Sequence, residues 1–185
     1  MVEIKNIFKH FSVTLLTLDQ FSEIGEIKET GKTFKENALI KARTVHRLTG
    51  KAAIGDDTGL EVDALNETPG IYSARYAGEN VTYEENVTKL LKEMSGIKME
   101  DRTARFRTVA AYVDDSTELI TEGKIEGIIT FEKKGSSGFG YDPVFFVPEL
   151  NCTFAELSGE DKNKISHRGE AFQNLSKLLR VHLEK

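Results

Sequence analysis

The stretch Ala52-Ala53-Ile54-Gly55-Asp56-Asp57-Thr58-Gly59-Leu60 sets a short apolar run against two adjacent carboxylates. An apolar run that ends in turn residues reads as a buried strand. Gly55 and Gly59 let the backbone bend at its end, which puts both charges where the strand hands over to a loop. A further strand follows, in which Leu60, Val62 and Ala64 alternate. Like charges this close repel, and one is driven towards its protonated form unless a cation holds both ionised. A magnesium ion, brought by a phosphate ligand, meets that need. The same residues also suit a solvated Asp-Asp-Thr-Gly turn, because Asp and Gly are ordinary turn formers.

Upstream, Ile4, Ile7, Phe8 and Phe11 recur at helical spacing, so the chain opens in an amphipathic helix. Val13 to Leu16 reads as a strand. Phe34, Ala38, Ala42, Val45 and Leu48 mark a second helix that Gly50 stops. Downstream, Pro69-Gly70 opens a loop running to about Gly78, and Thr82-x-x-Glu85 is a capping box before a third helix with Val87, Leu90, Leu91 and Met94 on its buried stripe. Thr103 to Val113 and Glu118 to Thr130 read as a strand pair joined through Asp114-Asp115-Ser116. The apolar run Val144 to Val147 follows a Gly-rich stretch, and Phe172, Leu175, Leu178, Leu179 and His182 place the last helix. Strands interleaved with four helices argue an α/β fold with a mixed sheet.

The chain of 185 residues reads as one domain, large enough to bury roughly 70% of its unfolded surface. A net charge of −5 argues against a nucleic-acid partner, which needs a concentrated positive face. The single cysteine, Cys152, has no partner for an internal disulfide and reads as a structural thiol in a reducing setting. No apolar run approaches the roughly 18 residues of a membrane span, and no signal peptide opens the chain. The expected location is the cytoplasm, with no membrane partner.

Three groups carry candidate chemistry. Glu36 belongs to the capping-box pattern Thr33-x-x-Glu36, yet a carboxylate in a first helical turn also reaches a neighbouring strand end. Glu36 with Asp57, and Asp56 beside them, would satisfy a metal that prefers one or two carboxylates plus water and phosphate oxygens. The run from Gly135 to Asp142 is either a flexible loop or a platform on which Phe139 or Tyr141 stacks a base. It lacks the Gly-Lys-Ser/Thr ending of a Walker A loop. Lys162 with Ser166-His167-Arg168 offers donors alone, as surface charges or as a pocket that selects acceptors. A 6-oxo purine presents an acceptor where adenine presents an amine, and a wrong base would leave buried donors unpaired. His46 and His182 read as structural.

Thr33-Phe34-x-Glu36-Asn37-Ala38 with Lys41-Ala42, then Asp56-Asp57-Thr58-Gly59-Leu60 and Pro69-Gly70-Ile71-Tyr72-Ser73-Ala74-Arg75-Tyr76, resemble the inosine/xanthosine triphosphate pyrophosphatases. Gly138-Phe139-Gly140-Tyr141-Asp142-Pro143 and Ile165-Ser166-His167-Arg168 extend the resemblance towards the C-terminus. It implies an elongated mixed sheet flanked by helices, two lobes with a cleft between them, and a homodimer. It further implies Mg²⁺-dependent hydrolysis of ITP, dITP and XTP to monophosphate and pyrophosphate. Asp57 would orient and deprotonate water and bind metal, with Glu36 a second ligand and Asp56 beside them. Thr58 would touch substrate, Phe139, Gly140, Tyr141 and Asp142 would hold base and sugar, and Lys162, His167 and Arg168 would read the purine. The family opens with a strand and Ser/Thr-x-Asn-x-x-Lys, whereas Met1-Val2-Glu3-Ile4 enters the helix that should follow. The domain, residues 1–185, is therefore expected to be truncated at its N-terminus and to grip triphosphate weakly. The competing reading is a nucleotide-binding remnant without catalysis.

Overall fold

The computed structural model describes residues 2–183; Met1, at the expected opening helix, lies outside them. Helices α1 (Val2–Phe8), α2 (Phe34–Thr49), α3 (Tyr83–Glu93), α4 (Gly159–Lys164) and α5 (His167–Leu183) accompany strands β1 (Ala53–Val62), β2 (Thr68–Pro69), β3 (Thr103–Val113), β4 (Glu118–Ile129), β5 (Phe145–Val147) and β6 (Cys152–Thr153). The strands form one sheet in the order β2-β1-β3-β4-β5-β6. The pairings β1·β2, β4·β5 and β5·β6 run antiparallel, with Glu61 opposite Pro69 and Ile129 opposite Phe145. The α/β reading therefore holds. Among the described residues no helix is long and apolar enough to cross a membrane.

The chain divides into two compact units. The first comprises the residues up to Asp57, Thr108–Gly123 and the residues from Arg168 onward. Its core joins Ile4 and Phe8 of α1, Ala110 and Tyr112 of β3, and Ala171, Phe172, Leu175 and Leu179 of α5. Phe8 meets Phe172 edge-on at 6.4 Å, one of the specific ring geometries that add to plain area burial. Leu178 lies off this stripe and is exposed, so four of the five residues expected on one face of α5 fall on its inner side and this one does not. The second unit comprises Thr58–Arg107 and Lys124–His167. Leu60, Val62, Leu90, Met94, Phe145 and Phe154 form its centre. Within it the buried Arg102 donates to the carbonyls of Ile129, Met94 and Thr130 at 2.6, 2.8 and 2.8 Å, which supplies its donors with partners.

Two expectations need correction. Val13 to Leu16 form no strand: Leu15 packs against the first core while Val13 and Leu16 are exposed, so no alternation anchors the segment to a sheet. The two strands expected on either side of Asp56-Asp57 are one continuous strand, β1, and both carboxylates lie within it. Gly55 and Gly59 do not turn the chain there.

The capping box of α3 is present, with Thr82 Oγ1 accepting from Glu85 N at 3.2 Å and Glu85 Oε2 accepting from Thr82 N at 2.7 Å. The two histidines set aside as structural serve the β3–β4 turn. His182 Nε2 and the Tyr112 hydroxyl both lie 2.8 Å from Asp114 Oδ2, and His46 Nε2 lies 3.4 Å from Asp115. Burial pushes the Asp114 carboxyl up, but bonds from Ser116 N, His182, Tyr112 and the Ser116 hydroxyl outweigh it and hold the group well below the usual carboxylate range. A depressed pKa adds stability above the unfolded value near 4, and that stability is lost as pH falls below it. Asp114→Asn is therefore expected to cost about 1–3 kcal/mol at neutral pH and to flatten the acid limb between about pH 4 and 2, as read by urea unfolding across pH.

Candidate active site

Strand alternation sets the site. Successive residues of a strand point to opposite faces, so Ala53, Gly55 and Asp57 look one way and Ile54 and Asp56 the other. The first face meets α2, where Ala38 and Ala42 are fully buried. A Cβ added at Gly55 would stand 2.5 Å from Ala38 O and 2.8 Å from Ala42 N, so only glycine permits the helix to lie this close. The close approach delivers Asn37 and Lys41, one helical turn apart on α2, to Asp57. Asn37 Nδ2 donates to Asp57 Oδ2 at 3.0 Å, and Lys41 Nζ lies 3.3 Å from Oδ1. Asn37 is itself fixed, because its Oδ1 accepts from Gly31 N at 2.9 Å. A Cβ at Gly31 would lie 2.7 Å from that same oxygen.

Lys41 carries a second carboxylate, Glu29, at 3.0 Å. Glu29 and Asp57 thus flank one cationic centre. Burial pushes the Asp57 carboxyl up, more than Lys41 and Asn37 pull it down, and Glu29 adds to the rise. The arrangement offers hard oxygen donors, which suit Mg²⁺ or a similar ion. The Lys41 ammonium already lies between the two carboxylates, so a small cation at Asp57 would sit beside that charge, with phosphate and water oxygens as its other donors.

The three residues expected to share that metal are not brought together. Glu36 Oε2 accepts from Lys32 N at 2.5 Å, and its own N–H is capped by Thr33 Oγ1 at 3.1 Å, so its side chain serves the helix start. Asp56 lies on the other face of β1 and pairs with Arg168. Among the described residues no group of three His, Cys, Asp or Glu side chains is placed to hold a metal ion. Glu29 was not legible in the sequence, since the polar segment that carries it has no periodicity. Asn37 and Lys41 stand in the quoted motif, and their four-residue spacing beside a strand was the signal for their shared direction.

The remaining expected residues belong to the second unit, apart from Arg168. Thr58 is half-buried on β1 directly after Asp57. Asp142 is buried, accepts from Phe139 N at 2.9 Å and pairs with Lys162 Nζ, so it shapes the Gly-rich loop from inside. The Lys162 ammonium stands 5.1 Å from the rings of both Phe139 and Phe154, within cation–π range. Phe139 is 68% exposed and tilts against Tyr83 at 5.8 Å, which leaves ring surface for a planar ligand. Tyr141, by contrast, is buried, and its hydroxyl donates to Ser73 O at 2.9 Å; it braces the loop, with Gly140 between it and Phe139. His167 stacks on Phe106 at 5.0 Å and 11°. The second unit thus gathers Phe139, Asp142 and Lys162 directly, with His167 fixed by its own stack.

The model of the Ham1 family matches residues 1–178. The dITP/XTP pyrophosphatase of Thermoanaerobacter pseudethanolicus is 49% identical over 183 residues, covering 99% of this chain and 92% of that protein. That of Bacillus licheniformis is 56% identical over 155 residues, 83% of this chain and 79% of that protein. Among solved structures, a HAM1 protein from Coxiella burnetii superimposes with a TM-score of 0.91 at 42% identity, covering 97% of this chain and 92% of that one. The Staphylococcus aureus Ham1 protein gives 0.90 at 41% identity, covering 98% and 93%. The expected loss of an N-terminal strand and phosphate-gripping segment is not shown by these matches. A family match over nearly the whole chain, together with superposition on solved members, establishes that this chain belongs to the Ham1 family.

Proposed function

We propose that this chain hydrolyses non-standard purine nucleoside triphosphates (dITP, XTP and ITP) to the monophosphate and pyrophosphate, with Mg²⁺. It is a nucleoside triphosphate pyrophosphatase, and relatives of nearly equal length bearing the name dITP/XTP pyrophosphatase support the reaction and substrate class. The observation that carries the chemistry is Asp57, a buried carboxylate held in a fixed direction by Asn37 and Lys41. Burial raises its proton affinity, which suits a base that takes a proton from water. Phosphoryl chemistry asks mainly for positioning and charge stabilisation, with little covalent work for the protein.

Asp57 accepts a water proton and aims the water at the α-phosphorus. Lys41 keeps the carboxylate aligned, and its charge lies close enough to favour phosphate oxygens. Glu29 and Asp57 would hold Mg²⁺, which supplies charge neutralisation on the phosphates when bound. Glu36 and Asp56, grouped with them by the sequence, have other partners. Phe139 offers a face for the base, and Lys162, His167 and Arg168 donate to acceptors on the purine. Tyr141 and Asp142 shape the loop that presents Phe139, and Thr58, next to Asp57 on β1, would touch substrate. The family resemblance extends the proposal to a homodimer in the cytoplasm, which size-exclusion chromatography and cell fractionation test.

Pyrophosphate release from dITP, ITP, XTP and ATP in Mg²⁺ tests the reaction. Turnover of the first three is expected, with kcat/KM for ATP lower by about 10²-fold or more, and EDTA is expected to abolish it. Equal turnover of ATP, or release of orthophosphate in place of pyrophosphate, overturns the proposal.

A further inference from the structure

The two adjacent acids of β1 do different work. Asp57 faces α2, while Asp56 faces the start of α5 and meets Arg168. Arg168 Nη2 donates to Asp56 Oδ1 at 3.1 Å. Its Nε lies 3.1 Å from Oδ2, an ion-pair contact too bent for a hydrogen bond. Both carboxylate oxygens of Asp56 are therefore turned to one guanidinium. The Arg168 side chain is 42% exposed, so without that partner a long, flexible group would have to be ordered by the ligand itself. Phe172, one turn further along α5, lies 5.8 Å beneath the guanidinium carbon and limits its tilt. With Asp56 along one edge and Phe172 below, the Nη1 edge meets no partner among the described residues and offers its donors to an acceptor.

We propose that Asp56 is a positioning residue for purine selection, which pre-orients Arg168 towards a carbonyl acceptor on the base and takes no part in holding metal. The inference rests on the reading above that Arg168 contacts the purine. Two observations carry it: strand alternation separates Asp56 from Asp57, and the Asp56 oxygens are occupied by Arg168. The second unit repeats the device, since buried Asp142 pairs with Lys162. Each of these cations has its own carboxylate, and a cation held in advance costs less ordering when an acceptor arrives.

The test is a double-mutant cycle on Asp56→Asn and Arg168→Ala, with KM and kcat for dITP, kcat/KM for ATP, and the Mg²⁺ concentration giving half-maximal rate. Asp56→Asn is expected to raise KM for dITP by about tenfold and narrow the dITP/ATP preference by a similar factor. Its kcat and Mg²⁺ midpoint are expected to stay within about threefold of the parent. Arg168→Ala should show the same pattern, and the double variant should be no worse than Arg168→Ala alone. Asp56→Glu, which keeps the charge, should recover part of the preference even if Asp56→Asn folds poorly. A shifted Mg²⁺ midpoint for Asp56→Asn, or additive effects in the double variant, overturns the inference while leaving Arg168 as a base reader. An Arg168→Ala protein with unchanged KM and unchanged dITP/ATP preference overturns the base-reading role, and the inference with it.

Discussion

Asp57→Asn is expected to lower kcat for dITP by about 10³-fold, the middle of the range for removal of a general base, with the fold intact. The amide keeps the shape of the carboxylate and its oxygen can still accept from Asn37 Nδ2, but it cannot accept a proton from water. Stability should move the other way. Burial raises the Asp57 pKa despite Lys41 and Asn37, so the ionised group is held in the folded protein at a net cost. Replacement by a neutral isostere removes that cost. Lys41 is not stranded by the change, because Glu29 remains 3.0 Å from its ammonium. Thermal unfolding in EDTA is thus expected to give a melting temperature equal to or above that of the parent, alongside a nearly inactive enzyme. Such opposed effects mark a site where function is kept at the expense of stability. A variant that is both inactive and much less stable would make Asp57 a structural residue first.

The legibility of this chain followed the periodicity of its elements. Helices α2, α3 and α5 were readable because apolar residues recur at helical spacing between clear caps such as Thr33, Thr82 and Gly50. The β3–β4 pair was readable from alternation and an Asp-Asp-Ser turn. The interior of β1 was not, because glycine ordinarily signals a turn, whereas Gly55 is there to admit a helix backbone. That single misreading carried over to the site. With a loop after Asp57 the two carboxylates would share one surroundings and one metal. Within a continuous strand they face opposite sides, and each meets a different cation, Lys41 or Arg168. Glu36 satisfied both a capping pattern and a ligand pattern, and the helix end claimed it. Glu29 sits in an irregular segment, where no spacing rule links it to a residue 28 positions on; only the folded chain shows that Lys41 joins the two.

Gly55→Ala should be the most damaging small substitution in the first unit. The added carbon would stand 2.5 Å from Ala38 O, 2.8 Å from Ala42 N and 2.9 Å from Lys41 Cβ. The first two are backbone atoms of α2, so no side-chain rotation relieves the contact, and the helix has to move off the strand. Overpacking of this kind costs about 1–3 kcal/mol, and a backbone obstacle belongs at the upper end. For a domain of this size that corresponds to a fall in melting temperature of roughly 5–10 °C. Catalysis should suffer more than stability. Asn37 and Lys41 ride on the same helix and hold Asp57 at 3.0 and 3.3 Å, so a shift of about 1 Å breaks both contacts. Misplacement on that scale costs about 10²-fold in kcat. Gly159→Ala is the matched control, since a Cβ there meets nothing within 4 Å, and it should leave melting temperature and rate unchanged. If Gly55→Ala lowers the melting temperature by that amount yet retains full kcat, the seat of α2 on β1 does not govern Asp57. If it behaves like Gly159→Ala in both measurements, α2 lies further from the strand than the Gly55 contacts require.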